Sequence, residues 1–323
     1  MTKILGIGNA LVDVLTQLEN DNLLITLELP KGSMQLVDAE KSEQIQTHSK
    51  HLKKQLASGG SAANTIHGLA SLGIKTSFIG TVGEDEIGNF FHNDLIKNNI
   101  TPKLIKSKTL SGLANTLISK DGERTFGTFL GAAVELSADN IRDDQFEGFD
   151  ILHVEGYLVQ NHDLLEAILK TAKNNGLKVS IDLASYNVVE DNLEFLKKMV
   201  TNYVDIVFAN EEEAKAFTGK EPRDALNEIA KITDIAVVKT GGKGSIIKQG
   251  NTVVNVDVLE IEPVDTTGAG DLYAAGFLYG ITNDYDLKKA GEIGSLLASK
   301  VIQNIGAKIS DENWIKIREE VML

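Results

Sequence analysis

The sequence predicts an α/β fold with a mainly parallel sheet covered by helices on both faces. Three observations predict it. Apolar runs of strand length alternate with segments of helix length along most of the 323 residues, the pattern of crossover-connected parallel strands. Composition is that of a soluble globular chain, 42% hydrophobic and 24% charged, with no composition break, low-complexity tract or internal repeat. The alternation is interrupted once, over 103–133, by a stretch that reads as a β-hairpin. One domain is therefore expected.

Taken in order, residues 3–14 are predicted as one buried strand, Ile4, Leu5 and Ile7 leading into Gly8-Asn9-Ala10-Leu11-Val12-Asp13-Val14. Asn9 and Asp13 fall near its end. Buried polar side chains need partners, so they cap a turn or bind hydroxyls of something else. The Gly-x-Gly here lacks the third glycine of a dinucleotide fingerprint. Residues 15–37 read as short and mixed, with a turn at Lys31-Gly32-Ser33, and 38–56 as a polar, exposed helix. Ser58-Gly59-Gly60-Ser61-Ala62-Ala63-Asn64-Thr65 opens a helix running to about Leu72. A glycine pair there serves tight helix–strand packing or leaves room for a ligand.

A strand at 76–82 and an amphipathic helix at 86–98 follow. In the hairpin, residues 111–119 and 124–130 flank the turn Lys120-Asp121-Gly122-Glu123. Arg124 is read as a solvated strand-end charge in preference to an inward cation. Strands return at 150–154, 178–183, 205–209 and 235–240, with helices near 161–175, 190–201 and 211–232. Asn210-Glu211-Glu212-Glu213 opens one of these helices at a strand end, where open α/β sheets bind ligands. Lys239-Thr240-Gly241-Gly242-Lys243-Gly244-Ser245 reads as a hairpin turn. It is not a phosphate-binding P-loop, because Gly244 follows Lys243 where Ser or Thr is required. In a last helix, 286–303, Ala290, Gly294, Leu297, Ala298 and Val301 share one face, which suits an adenine or close helix packing.

The chemistry concentrates in Val264-Asp265-Thr266-Thr267-Gly268-Ala269-Gly270-Asp271 and the apolar run after it. A glycine turn opening a buried helix leaves unpaired N–H groups at the positive end of the helix dipole, an anion site. A carboxylate in that first turn repels a resting phosphate. Asp271 is explained by a base that takes a hydroxyl proton while the amides of Gly268, Ala269 and Gly270 hold a transferring phosphoryl group.

Asp265 through Asp271 resembles the C-terminal signature of the PfkB/ribokinase family of small-molecule kinases. The resemblance extends from Gly8-Asn9 to Ile305-Gly306-Ala307. It implies a ribokinase-like three-layer α/β sandwich, one domain with a mainly parallel central sheet and a small β-sheet lid drawn from about 11–37 and 103–133. It implies ATP and Mg²⁺ as cofactors, with a monovalent cation such as K⁺ as a further candidate. It assigns Asn9, Asp13, Gly59, Gly60, Asn64 and Tyr157 to the acceptor, Asp13 holding vicinal ribose hydroxyls and Tyr157 stacking on a base. It assigns Asn210, Thr240, Gly242, Gly244, Thr267, Gly268 and Gly270 to ATP, and Glu213 to Mg²⁺ largely through water. Lys31-Gly32-Ser33-Met34, Phe129-Leu130-Gly131-Ala132 and Glu155-Gly156-Tyr157-Leu158 look most like bacterial adenosine-kinase-type members. Met34, Gln35, Leu130 and Tyr157 favour a flat slot for a base.

Composition excludes several classes. The 32 Lys and Arg against 46 Asp and Glu give −14, which opposes affinity for nucleic acid or anionic membrane. With no cysteine there is no disulfide or thiolate metal site. The N-terminal stretch is too polar for a signal peptide, and no apolar run has spanning length, so a cytoplasmic enzyme is expected, monomer or homodimer. Small molecules are the expected partners. Three functions compete: an ATP-dependent kinase for the 5′-hydroxyl of adenosine, a ribokinase- or fructokinase-like sugar kinase, and a non-catalytic nucleotide-binding regulator. Asp271 argues against the last, since a pure binder gains nothing from a carboxylate beside a phosphate.

Overall fold

The computed structural model describes residues 2–321. Strand β1 (Lys3–Ile7) ends earlier than predicted, and the chain turns at Gly8-Asn9-Ala10 into β2 (Leu11–Gln17), which belongs to a different sheet. The predicted single strand over 3–14 is thus two. Then come α1 (Asn22–Thr26), β3 (Met34–Leu36), α2 (Ala39–His48) and β4 (Lys54–Gly59). The helix predicted over 38–56 stops at His48, and Lys54–Gly59 is a strand of the small sheet.

The order continues with α3 (Ser61–Ser71), β5 (Lys75–Gly83), α4 (Glu86–Lys97), β6 (Ile100–Ser107), β7 (Gly112–Ile118) and β8 (Arg124–Phe129). Residues 103–107 therefore lie in β6, an edge of the large sheet, and not in the lid. Next are β9 (Ile151–Glu155), α5 (His162–Asn174), β10 (Lys178–Asp182), α6 (Tyr186–Asp191), α7 (Leu193–Tyr203) and β11 (Ile206–Asn210). The helix predicted over 211–232 is two, α8 (Glu211–Thr218) and α9 (Pro222–Ile229), because Gly219 takes a left-handed φ of 74° and Pro222 starts the second. The chain closes with β12 (Ile235–Lys239), β13 (Ser245–Gln249), β14 (Thr252–Val256), α10 (Ala269–Thr282), α11 (Leu287–Val301) and α12 (Asp311–Val321).

The large sheet has nine strands in the order β14-β13-β12-β11-β10-β9-β1-β5-β6, parallel except at β13 and β14. Its pleat sorts residues onto two faces. Ile4, Phe78, Ile206, Phe208 and Val237 pack under α3, α4, α10 and α11. Leu5, Ile7, Leu152, Val207 and Val238 pack under α5, α7, α8 and α9. This is the predicted sandwich, helices covering both faces.

The second sheet, β3-β8-β7-β2-β4, is the lid, with its own small core of Leu18, Leu24, Leu27, Leu29, Ile45 and Leu117. From β1 the chain runs first to β5 and β6 and then returns to β9 on the other side. The reversal opens a crevice at the carboxyl ends of β1 and β9, the place where open α/β sheets take ligands. β2 and β4 leave the lid directly into that crevice.

Candidate active site

Four neighbouring parallel strands, β9 to β12, each end in a polar residue: Glu155 on β9, Asp182 on β10, Asn210 on β11, Lys239 on β12. The N-terminus of α10 points at them. Gly268 is its cap, with φ 77°, and Asp271 lies in its first turn. The N–H groups of Gly268, Gly270 and Asp271 have no acceptor among the described residues, so they are free to bind an anion. Gly270 and Asp271 line a cavity of about 980 Å³, whose wall also includes Asp182, Asn210, Glu213, Lys239, Gly241, Gly242 and Gly244.

Asp271 is held at both oxygens. Oδ1 accepts from Ser61 Oγ at 2.7 Å and Oδ2 from Asn64 Nδ2 at 2.9 Å, both side chains in the first turn of α3. Burial pushes its pKa up to about 6, against the two hydrogen bonds that favour the ionised form. A carboxyl that is ionised at neutral pH yet titrates close to it suits a general base.

The other side of Asp271 is built by the lid and α3. Asp13 reaches in from β2, and a Cβ placed on Gly59 would lie 2.6 Å from its carboxylate, so a larger residue there would displace that carboxylate. Gly60 has φ 96°, which turns the chain from β4 into α3 and sets Asn64 under Asp271. Burial raises Asp13 to about 6; Lys308 opposes this, while Asp271 and Asp265 add to it. Lys308 Nζ donates to Asn64 Oδ1 at 3.2 Å, which orients the amide with its NH₂ toward Asp271. Burial depresses this lysine to about 8.

Asn9 is turned elsewhere. Its Nδ2 donates to Glu155 Oε1 at 2.7 Å, while the Ala62 amide donates to Oε2 at 3.2 Å, and burial pushes Glu155 up to about 7. This trio ties the β1 turn to the start of α3. Tyr157 lies in the turn after β9 and lines the large cavity together with Glu213 and Lys239. Met34 sits on the exposed edge strand β3, 63% exposed, and does not line that cavity.

Asn210 and Glu213 form a reciprocal capping box on α8. Asn210 Oδ1 accepts from the Glu213 amide at 2.8 Å, and Glu213 Oε2 accepts from the Asn210 amide at 2.8 Å. Both also line the cavity. Burial and then Asp182 raise Glu213 to about 7. Thr240 closes its turn onto the Gly244 carbonyl through N and Oγ1, at 2.8 and 2.9 Å, leaving Gly242 and Gly244 on the cavity wall. Thr267 donates its amide to Asp265 Oδ1 at 2.9 Å and accepts from Arg124 at 3.0 Å.

Arg124 corrects the sequence reading. It is not a solvated charge but an inward one, ion-paired with Asp265, with side chains 11% and 4% exposed. Asp265 Oδ2 also accepts from the Gly306 amide. The lid is thereby pinned to the glycine turn. On α11, Ala290 and Gly294 pack against Gly280 and Gly276 of α10, which accounts for their size. Of the small-residue face, Ala298 alone lines the cavity, beside Ser295, Ser299 and Ile302.

Among the described residues no group of three or more His, Asp or Glu side chains is placed to hold a metal ion. Glu213 nevertheless lines the cavity. A single carboxylate there fits Mg²⁺, which keeps water and phosphate oxygens as most of its ligands.

Lys239, Asp182, Ser61, Glu155 and Lys308 were given no role in the site by the sequence reading. A buried lysine ending a Val-rich strand was the one available signal, at Lys239.

Comparisons with known proteins follow this geometry. The pfkB family carbohydrate kinase model matches residues 32–314. The chain is similar to the adenosine kinase of Sinorhizobium meliloti, at 32% identity and TM-score 0.86 over 99% of each chain. It is equally similar to a probable sugar kinase of Rhizobium etli CFN 42, at 32% identity and TM-score 0.88 over 100% of this chain and 99% of that one. A 5-dehydro-2-deoxygluconokinase of Geobacillus kaustophilus is 32% identical over 76% of this chain and 79% of its own length. The chain belongs to the pfkB family of carbohydrate kinases and is an ATP-dependent phosphotransferase.

Proposed function

We propose that the acceptor is the hydroxymethyl group of a ribose-containing compound, the 5′-hydroxyl of adenosine, which becomes AMP. The observation that carries this reading is the arrangement of Asp271, with free α10 amides on one side and Asp13, Asn64 and Lys308 on the other. The hydroxyl oxygen attacks the γ-phosphorus, and its proton passes to Asp271. The bond to the β–γ bridging oxygen breaks, its electron pair leaving with ADP. The amides of Gly268 and Gly270 stabilise the charge on the transferring group. Mg²⁺, when bound, neutralises phosphate charge beside Glu213. Asp13 accepts from two adjacent ribose hydroxyls and so turns the 5′-oxygen toward Asp271, catalysis by orientation. The bacterial adenosine kinase matched over nearly its whole length supports this acceptor.

A sugar acceptor is the second reading, favoured by the sugar kinases among the relatives. The test is a panel with ATP and Mg²⁺. Adenosine should be turned over well and 2′-deoxyadenosine poorly, because losing one hydroxyl leaves Asp13 partly unpaired, a cost of roughly 1–3 kcal/mol. Asp13→Ala should remove most of that difference. A deoxy analogue turned over as well as adenosine by the unaltered enzyme would refute the role of Asp13.

A further inference from the structure

Lys239 has no part in the reading above, yet its position is unusual. It ends β12, and the pleat puts its side chain on the same face as Val237, the face covered by α10. Its Nζ reaches Asp182 Oδ2 at 2.6 Å, with side chains 15% and 8% exposed. It also lies against the glycine turn, since a Cβ placed on Gly270 would be 3.0 Å from Nζ. Among the residues lining the 980 Å³ cavity it is the one lysine or arginine, facing Asp182, Glu213 and Asp271. Burial works against its charge, but Asp182, Glu213 and Asp271 outweigh that and hold its pKa above the ordinary lysine value.

A triphosphate entering that cavity meets acids on three strands or helices and one ammonium. From this we infer that Lys239 is a catalytic residue, its ammonium contacting the transferring phosphoryl group beside the Gly270 amide while Asp182 holds it there. The inference rests on the phosphotransfer reading of the site and not on the identity of the acceptor. As the new oxygen–phosphorus bond forms and the bridging bond breaks, charge builds on the bridging oxygen and the electron pair leaves with ADP. Lys239 stabilises that charge without giving up its proton, and Asp271 takes the proton of the acceptor hydroxyl.

The alternative is that Lys239 only neutralises Asp182, a buried pair whose separation is costly but whose joint removal often is not. Lys239→Met, Lys239→Arg and the double variant Lys239→Met/Asp182→Asn separate the two. Each is melted first, ADP binding is measured by calorimetry, and kinetics are taken on whichever acceptor the unaltered enzyme phosphorylates. A wrong acceptor assignment then changes the panel and leaves the Lys239 ratios intact.

The inference predicts that the Met and double variants lose about 10²–10³-fold in kcat, the loss of one transition-state donor. Acceptor KM stays within a few-fold, and Arg recovers at least part of the loss. Should the double variant melt like wild type and return to a kcat within a few-fold of it, Lys239 is a counter-charge and the inference fails. It fails equally if Lys239→Met folds and keeps its kcat.

Discussion

Asp271 works against the fold that holds it. Its pKa of about 6, raised by burial, means that the folded chain keeps a proton which the unfolded chain releases near 4. That contribution to stability is present in full below about 4 and is lost as pH rises through 6. Asp13 behaves alike near 6, and Glu155 and Glu213 near 7. The ligand-free protein should therefore gain stability from these groups as pH falls from about 7.5 to 5, while kcat falls with the ionised fraction of Asp271. Asp271→Asn separates the two effects. It should lose ~10²–10⁴-fold in kcat, yet melt several degrees higher at pH 7.5, since removing a carboxylate raised to about 6 relieves about 3 kcal/mol. A variant with unchanged kcat would remove Asp271 from its role as base. A melting temperature that drops would remove the electrostatic account of its environment.

At the scale of elements, the turn before α10 and the lid are one device. Gly268 and Gly270 look equivalent in sequence, but the structure separates them. Gly268 has φ 77°, and a Cβ there would lie 2.5 Å from that of Ala307. Gly270 is helical and would meet only Lys239. Gly268→Ala should thus cost stability as well as rate, by at least 1–2 kcal/mol for the left-handed backbone alone. Gly270→Ala should fold normally and lose rate through its amide and Lys239. Equal melting temperatures for the two would contradict this difference.

The Arg124–Asp265 pair ties β8 to the same turn. Acceptor binding under the lid should then slow hydrogen exchange in residues 11–17, 54–59, 112–118 and 124–129 together. Protection confined to one strand, or unchanged in all, would mean that the lid does not close as a unit.

For the molecule as a whole, what sequence made legible follows from how local the signal is. The parallel sheet was readable because each strand carries its own apolar run and each helix its own periodicity. The boundary errors have physical causes. Gly8-Asn9-Ala10 is apolar enough to pass as strand, and only tertiary pairing assigns β2 to the lid. Lys54–Gly59 is polar on an edge, so its strand pairing with β2 left no pattern.

At the site, the glycine turn with its free amides was legible because it lies in contiguous backbone. Asp182, Lys239, Glu155 and Lys308 were not, since each contributes one side chain from a different strand end or loop and acquires meaning only when the sheet brings them together. Arg124 was misread for the same reason, because its partner is 141 positions away in Asp265.

The claim that reaches furthest beyond the fold is the pairing of this phosphotransfer machinery with a nucleoside acceptor. The most direct measurement is initial-rate kcat/KM with ATP and Mg²⁺ for adenosine, 2′-deoxyadenosine, ribose, fructose 6-phosphate and 5-dehydro-2-deoxygluconate, using one preparation. The account predicts adenosine first, 2′-deoxyadenosine roughly tenfold or more behind it by the loss of one hydroxyl contact, and the free sugars near background. A sugar phosphorylated faster than every nucleoside would contradict it.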